Sequence, residues 1–141
     1  MVVFVKLLRT SNRWKLFNMN RLSIIIPCFN EETTLRDCVE RVLDIQDDEL
    51  SIELIIVDDA LSNNTEEVVN NFRRNNIIYK RLVSNAGASV ARHAGIDIAV
   101  GEFIAFLDND DRWHKDKLKI YVDLFAQYEH VFFEFSVLNR F

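Results

Sequence analysis

Two strand-like runs in this chain, apolar over their last four or five residues, end on carboxylates without a polar transition. Phe103-Ile104-Ala105-Phe106-Leu107 runs straight into Asp108-Asn109-Asp110-Asp111, and Ile52 to Val57 runs into Asp58 and Asp59. Three carboxylates within the four positions 108–111 repel one another unless a positive group sits between them. That spacing asks for a divalent cation with hard oxygen ligands. A cation so held suggests a phosphate ligand in turn, because Mg2+ is commonly bound by one or two carboxylates together with substrate phosphates. The competing explanation is local. Asp and Asn bond their own backbone in turns and cap helices, so each acidic end taken alone also fits a turn before a helix.

The order of the elements decides between these readings. Leu22 to Ile26 is an unbroken apolar run that stops at Pro27, which cannot donate to a ladder. Thr33 or Thr34 can cap a helix whose apolar stripe is Leu35, Cys38, Val39, Val42 and Leu43. Ile52 to Val57 is a second strand, followed by cap material at Ser62 to Thr65 and a helix carrying Val68, Val69 and Phe72. Ile77 to Val83 is a third strand. The helix after Asn85-Ala86-Gly87 carries a face of small residues, Ala88, Ala91 and Gly95, which lets it pack closely. The acid-tipped strand Phe103 to Leu107 follows, then a helix with Leu118, Tyr121, Val122, Leu124 and Phe125, and a last strand over 131–137. Alternation of this kind implies right-handed crossovers and a three-layer α/β/α fold with a mainly parallel sheet. In such a sheet all strands present their carboxyl ends on one side, where open α/β folds bind ligands. Pro27 to Glu31, Asp58 with Asp59, and Asp108 to Asp111 therefore share one rim. Turn chemistry explains each acidic end but does not predict that they converge.

The totals narrow the partners. At 141 residues with 49% hydrophobic content the chain suits one core. A net charge of -5 leaves no basic footprint for nucleic acid. Cys28 and Cys38 lack the spacing of a thiolate metal site, and His93, His114 and His130 share no ligand spacing. Free thiols fit a reduced, cytoplasmic setting. Residues 1–20 read as a leader, disordered or non-native, with Met19 as the expected start. The alternative for this basic stretch is peripheral association with the cytoplasmic face of a membrane.

Neither G-x-G-x-x-G nor a P-loop occurs, so phosphate has to be met by metal and side chains. The motifs that do occur carry a resemblance. Ser23-Ile24-Ile25-Ile26-Pro27-Cys28-Phe29-Asn30-Glu31-Glu32, Ile56-Val57-Asp58-Asp59, Asn85-x-Gly87-x-x-x-Ala91-Arg92-x-x-Gly95 and Gly101 to Asp111, in this order, resemble glycosyltransferase family 2 with its GT-A fold. The resemblance covers about Leu22 to Tyr128. It implies transfer of a sugar, with inversion, from a nucleotide diphosphate donor, most often a UDP-sugar, assisted by Mg2+ or Mn2+. The acceptor would be a sugar, polysaccharide or lipid.

Carried over by position, Pro27, Phe29, Asn30 and Glu31 would border the nucleoside, and Asp58 and Asp59 would meet base or ribose. Asn85, Gly87 and Arg92 would belong to the same nucleotide site. Asp108-Asn109-Asp110 would be the family's D-x-D, with Asp110 the direct metal ligand and Asp108 nearer ribose or metal-bound water. Where the family commonly has Gly-Ser-Thr-Asp after its paired aspartates, this chain has Ala60-Leu61-Ser62-Asn63. In the family the acceptor half and the catalytic base lie beyond the D-x-D strand and its helix, and no base is assignable here. The expectation is thus the partial, nucleotide-sugar-binding portion of such a domain over residues 21–141, truncated after that helix, with an exposed sheet edge near Val131 to Val137. Three alternatives stand beside it: a sugar-phosphate nucleotidyltransferase, a receiver-like metal-binding regulator, and an inactive gene fragment.

Overall fold

Runs of Ile, Val, Leu and Phe too short for helices extend into strands, because β-branched and aromatic side chains pack well on a pleated surface and flat sheets with helices on both faces bury them completely. The computed structural model describes residues 2–6, 20–30, 32–45, 50–59, 64–72, 76–109, 111, 116, 118, 120, 123 and 133–136. The elements are β1 (Val2–Lys6), β2 (Asn20–Cys28), α1 (Glu32–Leu43), β3 (Leu50–Asp58), α2 (Thr65–Asn70), β4 (Ile77–Arg81), α3 (Ala88–Ile98), β5 (Phe103–Leu107) and β6 (Phe133–Ser136). The sheet order is β4-β3-β2-β5-β1-β6. β2 lies between β3 and β5 and is parallel to both, with Ser23 opposite Glu53 on one side and Ile104 on the other. β3 and β4 are also parallel.

The chain winds outward from β2 to β3 to β4, then returns to β2's other side as β5. Right-handed crossovers in opposite directions must place their helices on opposite faces of the sheet. The core divides accordingly. Leu35, Cys38, Val39 and Val42 of α1 and Val68 and Val69 of α2 cover Leu22, Ile24, Ile26, Leu54 and Ile56. Ala91 of α3 packs on the other face with Ile25, Ile55, Val57, Ile104 and Phe106. The alternating assignment of Ile24, Ile25 and Ile26 to the two faces is the period-2 signature of a strand buried on both sides. The small face of α3 has the expected role: a Cβ added at Gly95 would stand 2.5 Å from Ile25 Cγ2.

β5 is held at its start by a polar strap. Ser23 is fully buried, donates its hydroxyl to Glu53, and accepts the Gly101 N–H at 2.8 Å. Glu53 also accepts the Val100 N–H at 2.7 Å. A Cβ at Gly101 would lie 2.6 Å from the Ser23 backbone nitrogen, so only glycine fits where the chain enters β5.

Two expectations change. Residues 1–20 are not a leader throughout: Val2–Lys6 forms β1, antiparallel to β5 with Val2 opposite Leu107 and Lys6 opposite Phe103. Four strong β-formers in five residues meet an edge of β5 whose ladder groups would otherwise lack partners. Asn20 belongs to β2, and Met19 and the rest of the basic stretch lie outside the described residues. The last strand, β6, falls in the run expected near the C-terminus; it pairs with β1 and stands at the end of the sheet order. The cap expected at Thr33 or Thr34 also shifts, since α1 starts at Glu32 and takes both threonines into its first turn. Of the helix expected after Asp111, Asp116, Leu118, Ile120 and Asp123 are helical, and Leu118 is buried in the α1 and α2 layer.

Candidate functional site

The point where the sheet reverses its winding lies between β2 and β5, and in open α/β sheets the crevice outside the carboxyl ends at such a point is the ligand site. A cavity of about 320 Å3 occupies it. Pro27, Cys28 and Phe29 contribute from the end of β2, Asp59 from the end of β3, Ala88, Ala91 and Arg92 from α3, and Asp108 and Asn109 from the end of β5. The volume is at the small end of the range for small-molecule sites.

Neighbouring aspartates at the end of β3 part company, because successive strand residues face opposite sides. Asp59 turns to the cavity and to the loop before α3. Its Oδ1 accepts the Ala86 N–H and its Oδ2 the Gly87 N–H, each at 2.7 Å. Charge-assisted bonds to both amides fix the turn from which α3 departs. Gly87 itself has φ 87° and ψ 163° at the N-cap position, a conformation nearly confined to glycine. Asn85 is exposed and does not line the cavity.

Asp58 turns the other way. It is fully buried, accepts the Tyr79 hydroxyl at 2.6 Å on Oδ2, and has Arg81 Nε 3.8 Å from the same oxygen. Its Oδ1 is buried with no hydrogen-bond partner. Burial, followed by the hydrogen bond to Asp58 and that carboxylate's charge, pushes the Tyr79 phenol well above its ordinary range. The structure therefore puts Asp58 behind the cavity wall, joined to β4, instead of in it.

Across the cavity, Arg92 Nη2 lies 2.7 Å from Asp108 Oδ1, with both side chains about 30% exposed (29% and 30%). The helical phase that sets Ala91 against the sheet carries Arg92 to the rim. Asn109 Nδ2 is buried without an acceptor. Phe29 is 44% exposed at the cavity mouth, and Asn30, also exposed, has φ 51°. Glu32 reaches from α1 to accept the Asn64 N–H at 2.8 Å, so a second rim carboxylate serves to seat a helix start.

Of the residues singled out in the sequence, the structure thus gathers Pro27, Phe29, Asp59, Arg92, Asp108 and Asn109 around one cavity. Glu31 and Asp110 lie outside the described residues. Among the described residues no three His, Cys, Asp or Glu side chains converge as a metal cage. His93 is exposed on α3, and His114 and His130 lie outside the described residues. Sequence reasoning missed Cys28 and Ala88 as wall residues and Tyr79 as the partner of Asp58. The parity of β3 and β4 could have found Tyr79, since Ile56 lies opposite it and Asp58 follows on the same face.

Comparison with known proteins agrees with this architecture. Residues 23–139 match the model of Glycosyl transferase family 2. The chain is 36% identical over 118 residues to the UDP-Glc:alpha-D-GlcNAc-diphosphoundecaprenol beta-1,3-glucosyltransferase WfaP of Escherichia coli, covering 84% of this chain and 46% of that protein. It is 35% identical over 115 residues to the amylovoran biosynthesis glycosyltransferase AmsB of Erwinia amylovora, covering 76% of this chain and 36% of the relative. It therefore spans less than half the length of either. Among solved structures, S. aureus TarS in complex with UDP superposes with a TM-score of 0.67 at 26% identity, over 77% of this chain and 33% of that one. A fold likeness alone, at 23% identity and a TM-score of 0.68, links it to a Pyrobaculum calidifontis mannosyltransferase in complex with GDP-Man and Mn2+. With its fold, its rim and a family model covering most of its length in accord, the chain belongs to glycosyl transferase family 2.

Proposed function

We propose that this chain supplies the donor-binding part of a glycosyltransferase that moves a sugar, with inversion, from a nucleoside diphosphate sugar, UDP-sugar first among them. The observation that carries the reading is the cavity at the switch point between β2 and β5, with Asp59, Arg92, Asp108 and Asn109 in its wall. WfaP is named for a UDP-Glc donor and TarS is bound to UDP, which favours uridine over other bases.

The wall chemistry suits such a ligand. Phe29 at the mouth offers an apolar surface to a nucleobase. The orphaned amide donor of Asn109 suits an acceptor oxygen on ribose or phosphate, because a buried donor left without a partner costs about 1–3 kcal/mol. Arg92 brings a guanidinium within reach of a phosphate. Hard oxygen donors at the end of β5 fit Mg2+ or Mn2+, and Asp108 with Asp110 would hold it. Such an ion, when bound, screens the charge that gathers on the departing diphosphate. Pro27, Asn30 and Glu31 border the nucleoside in this reading, while Asn85, Gly87 and Asp58 act by shaping the loops around it.

Acceptor, donor sugar and general base belong to the whole protein. A sugar, a polysaccharide or a lipid-linked acceptor fits the relatives, WfaP being named for a diphosphoundecaprenol-linked one. No described helix is long and apolar enough to cross a membrane.

Calorimetric titration of the chain with UDP and with GDP, each with and without Mn2+, tests the proposal. Metal-dependent UDP binding that disappears in Asp110→Ala is the expected result. No binding of either nucleotide at millimolar concentration, with the chain folded, would leave the inactive-fragment alternative standing instead.

A further inference from the structure

The contact between Arg92 and Asp108 has a consequence for how ligands enter. A guanidinium at 2.7 Å from Asp108 Oδ1 occupies ground that a cation approaching the D-x-D would need. Both side chains are partly buried in the cavity wall, so their charges are screened less than on an open surface. A divalent ion arriving alone meets a fixed positive charge, and one of the carboxylates it would use, Asp108, is already paired. A diphosphate arriving with the ion changes the sum, because its oxygens offer the guanidinium a bidentate partner of equal or better quality.

We infer that Arg92 is a built-in counterion of Asp108 that couples the two ligands: it opposes metal binding in the free chain and is drawn to the diphosphate when nucleotide and metal bind together. The inference rests on the donor-site reading above and adds to it an order of binding. The orientation of Arg92 is itself secured. Asp59 grips the amides of Ala86 and Gly87 where α3 begins, and Ala91, the neighbour of Arg92, is fully buried against the sheet. The helix cannot easily turn the guanidinium away, so exchange of partners requires only side-chain motion. Coupling between two ligands is reciprocal: the factor by which UDP strengthens metal binding equals the factor by which metal strengthens UDP binding.

The test compares wild type with Arg92→Gln and Arg92→Lys in the full chain. Free Mn2+ is followed by its electron paramagnetic resonance signal with and without UDP, and UDP is followed by calorimetry with and without Mn2+. In wild type, UDP is expected to tighten Mn2+ binding about tenfold or more, within the usual range of coupling between sites. In Arg92→Gln, Mn2+ alone should bind several-fold tighter than in wild type, while the UDP-dependent gain shrinks toward none. Arg92→Lys, which keeps a charge, should bind Mn2+ alone as weakly as wild type. If Arg92→Gln binds Mn2+ alone no better than wild type and keeps the full UDP-dependent gain, the counterion role is wrong although the donor site stands. If wild type binds no UDP at saturating Mn2+, the donor-site reading fails and takes this inference with it. Circular dichroism of each variant separates these outcomes from misfolding.

Discussion

Both carboxylate oxygens of Asp59 are spent on backbone, one on the Ala86 N–H and one on the Gly87 N–H, each at 2.7 Å. An acid that the sequence marks for a ligand thus also fastens the turn that launches α3. Its place in the cavity wall and its support of the fold belong to the same group.

Replacing Asp59 with Ala leaves two amides without acceptors in a part-buried setting. We expect a loss of about 3 kcal/mol in unfolding free energy, at roughly 1.5 kcal/mol for each bond to a charged group. Asp59→Asn should recover only part of this, because one of its oxygens becomes a donor facing a donor. Urea denaturation of the three forms measures both differences.

Tyr79 and Asp58 set an alkaline limit. The phenol titrates higher in the fold than in the unfolded chain, so its contribution is complete below the unfolded value near 10 and declines as pH rises beyond that. Tyr79→Phe should cost about 1–2 kcal/mol at neutral pH by leaving a buried carboxylate oxygen unmatched. Thermal melts at rising pH should then show the gap between wild type and variant narrowing above about pH 10. A gap that stays constant to pH 12 would contradict the assignment.

Two glycines make opposite demands. A methyl group at Gly101 would meet backbone atoms of Ser23 and Phe103 at 2.6 and 2.8 Å, neither of which can swing aside. Gly101→Ala is expected to cost about 3 kcal/mol or more and to lower expression. At Gly87 nothing lies within 4 Å of an added Cβ, and only the φ of 87° resists it. Gly87→Ala should therefore cost about 1–2 kcal/mol, visible as a modest shift of the denaturation midpoint.

Gly95→Ala probes the cavity from behind. The added carbon would stand 2.5 Å from Ile25 Cγ2, which sits on the Cβ of a fully buried, β-branched side chain with little room to turn. About 1–2 kcal/mol of stability should be lost. Because α3 also carries Ala88, Ala91 and Arg92, UDP affinity measured by calorimetry should fall as well, although residue 95 touches no part of the cavity.

The parts of this architecture that were legible in the sequence are those written in local patterns. Apolar runs at Leu22 to Ile26, Ile52 to Val57 and Phe103 to Leu107 announce strands buried on both faces, and their order with the intervening helices implies a shared rim. Motifs ending on Asp59 and Asp108 identify the family. What escaped is written in contacts between distant residues. Arg92 and Asp108 lie sixteen positions apart, and helical phase alone does not tell which acid the guanidinium meets. β1 escaped because a strand that joins the far edge of β5 has no partner nearby in the chain. The different fates of Asp58 and Asp59 could have been anticipated, since adjacent residues on a strand cannot share a face.

The strap at Ser23 constrains the order of assembly. One hydroxyl there joins β2 to Glu53 of β3 and to Gly101 at the head of β5, segments that the chain reaches by successive crossovers through α1, α2 and α3. The three-way contact exists only where β2, β3 and the start of β5 are together, so the strand that delivers Asp108 gains this strap only with β2 and β3 in register. A form of the chain in which β5 has not docked on β2 is then expected to lack the cavity that Asp108 and Asn109 line.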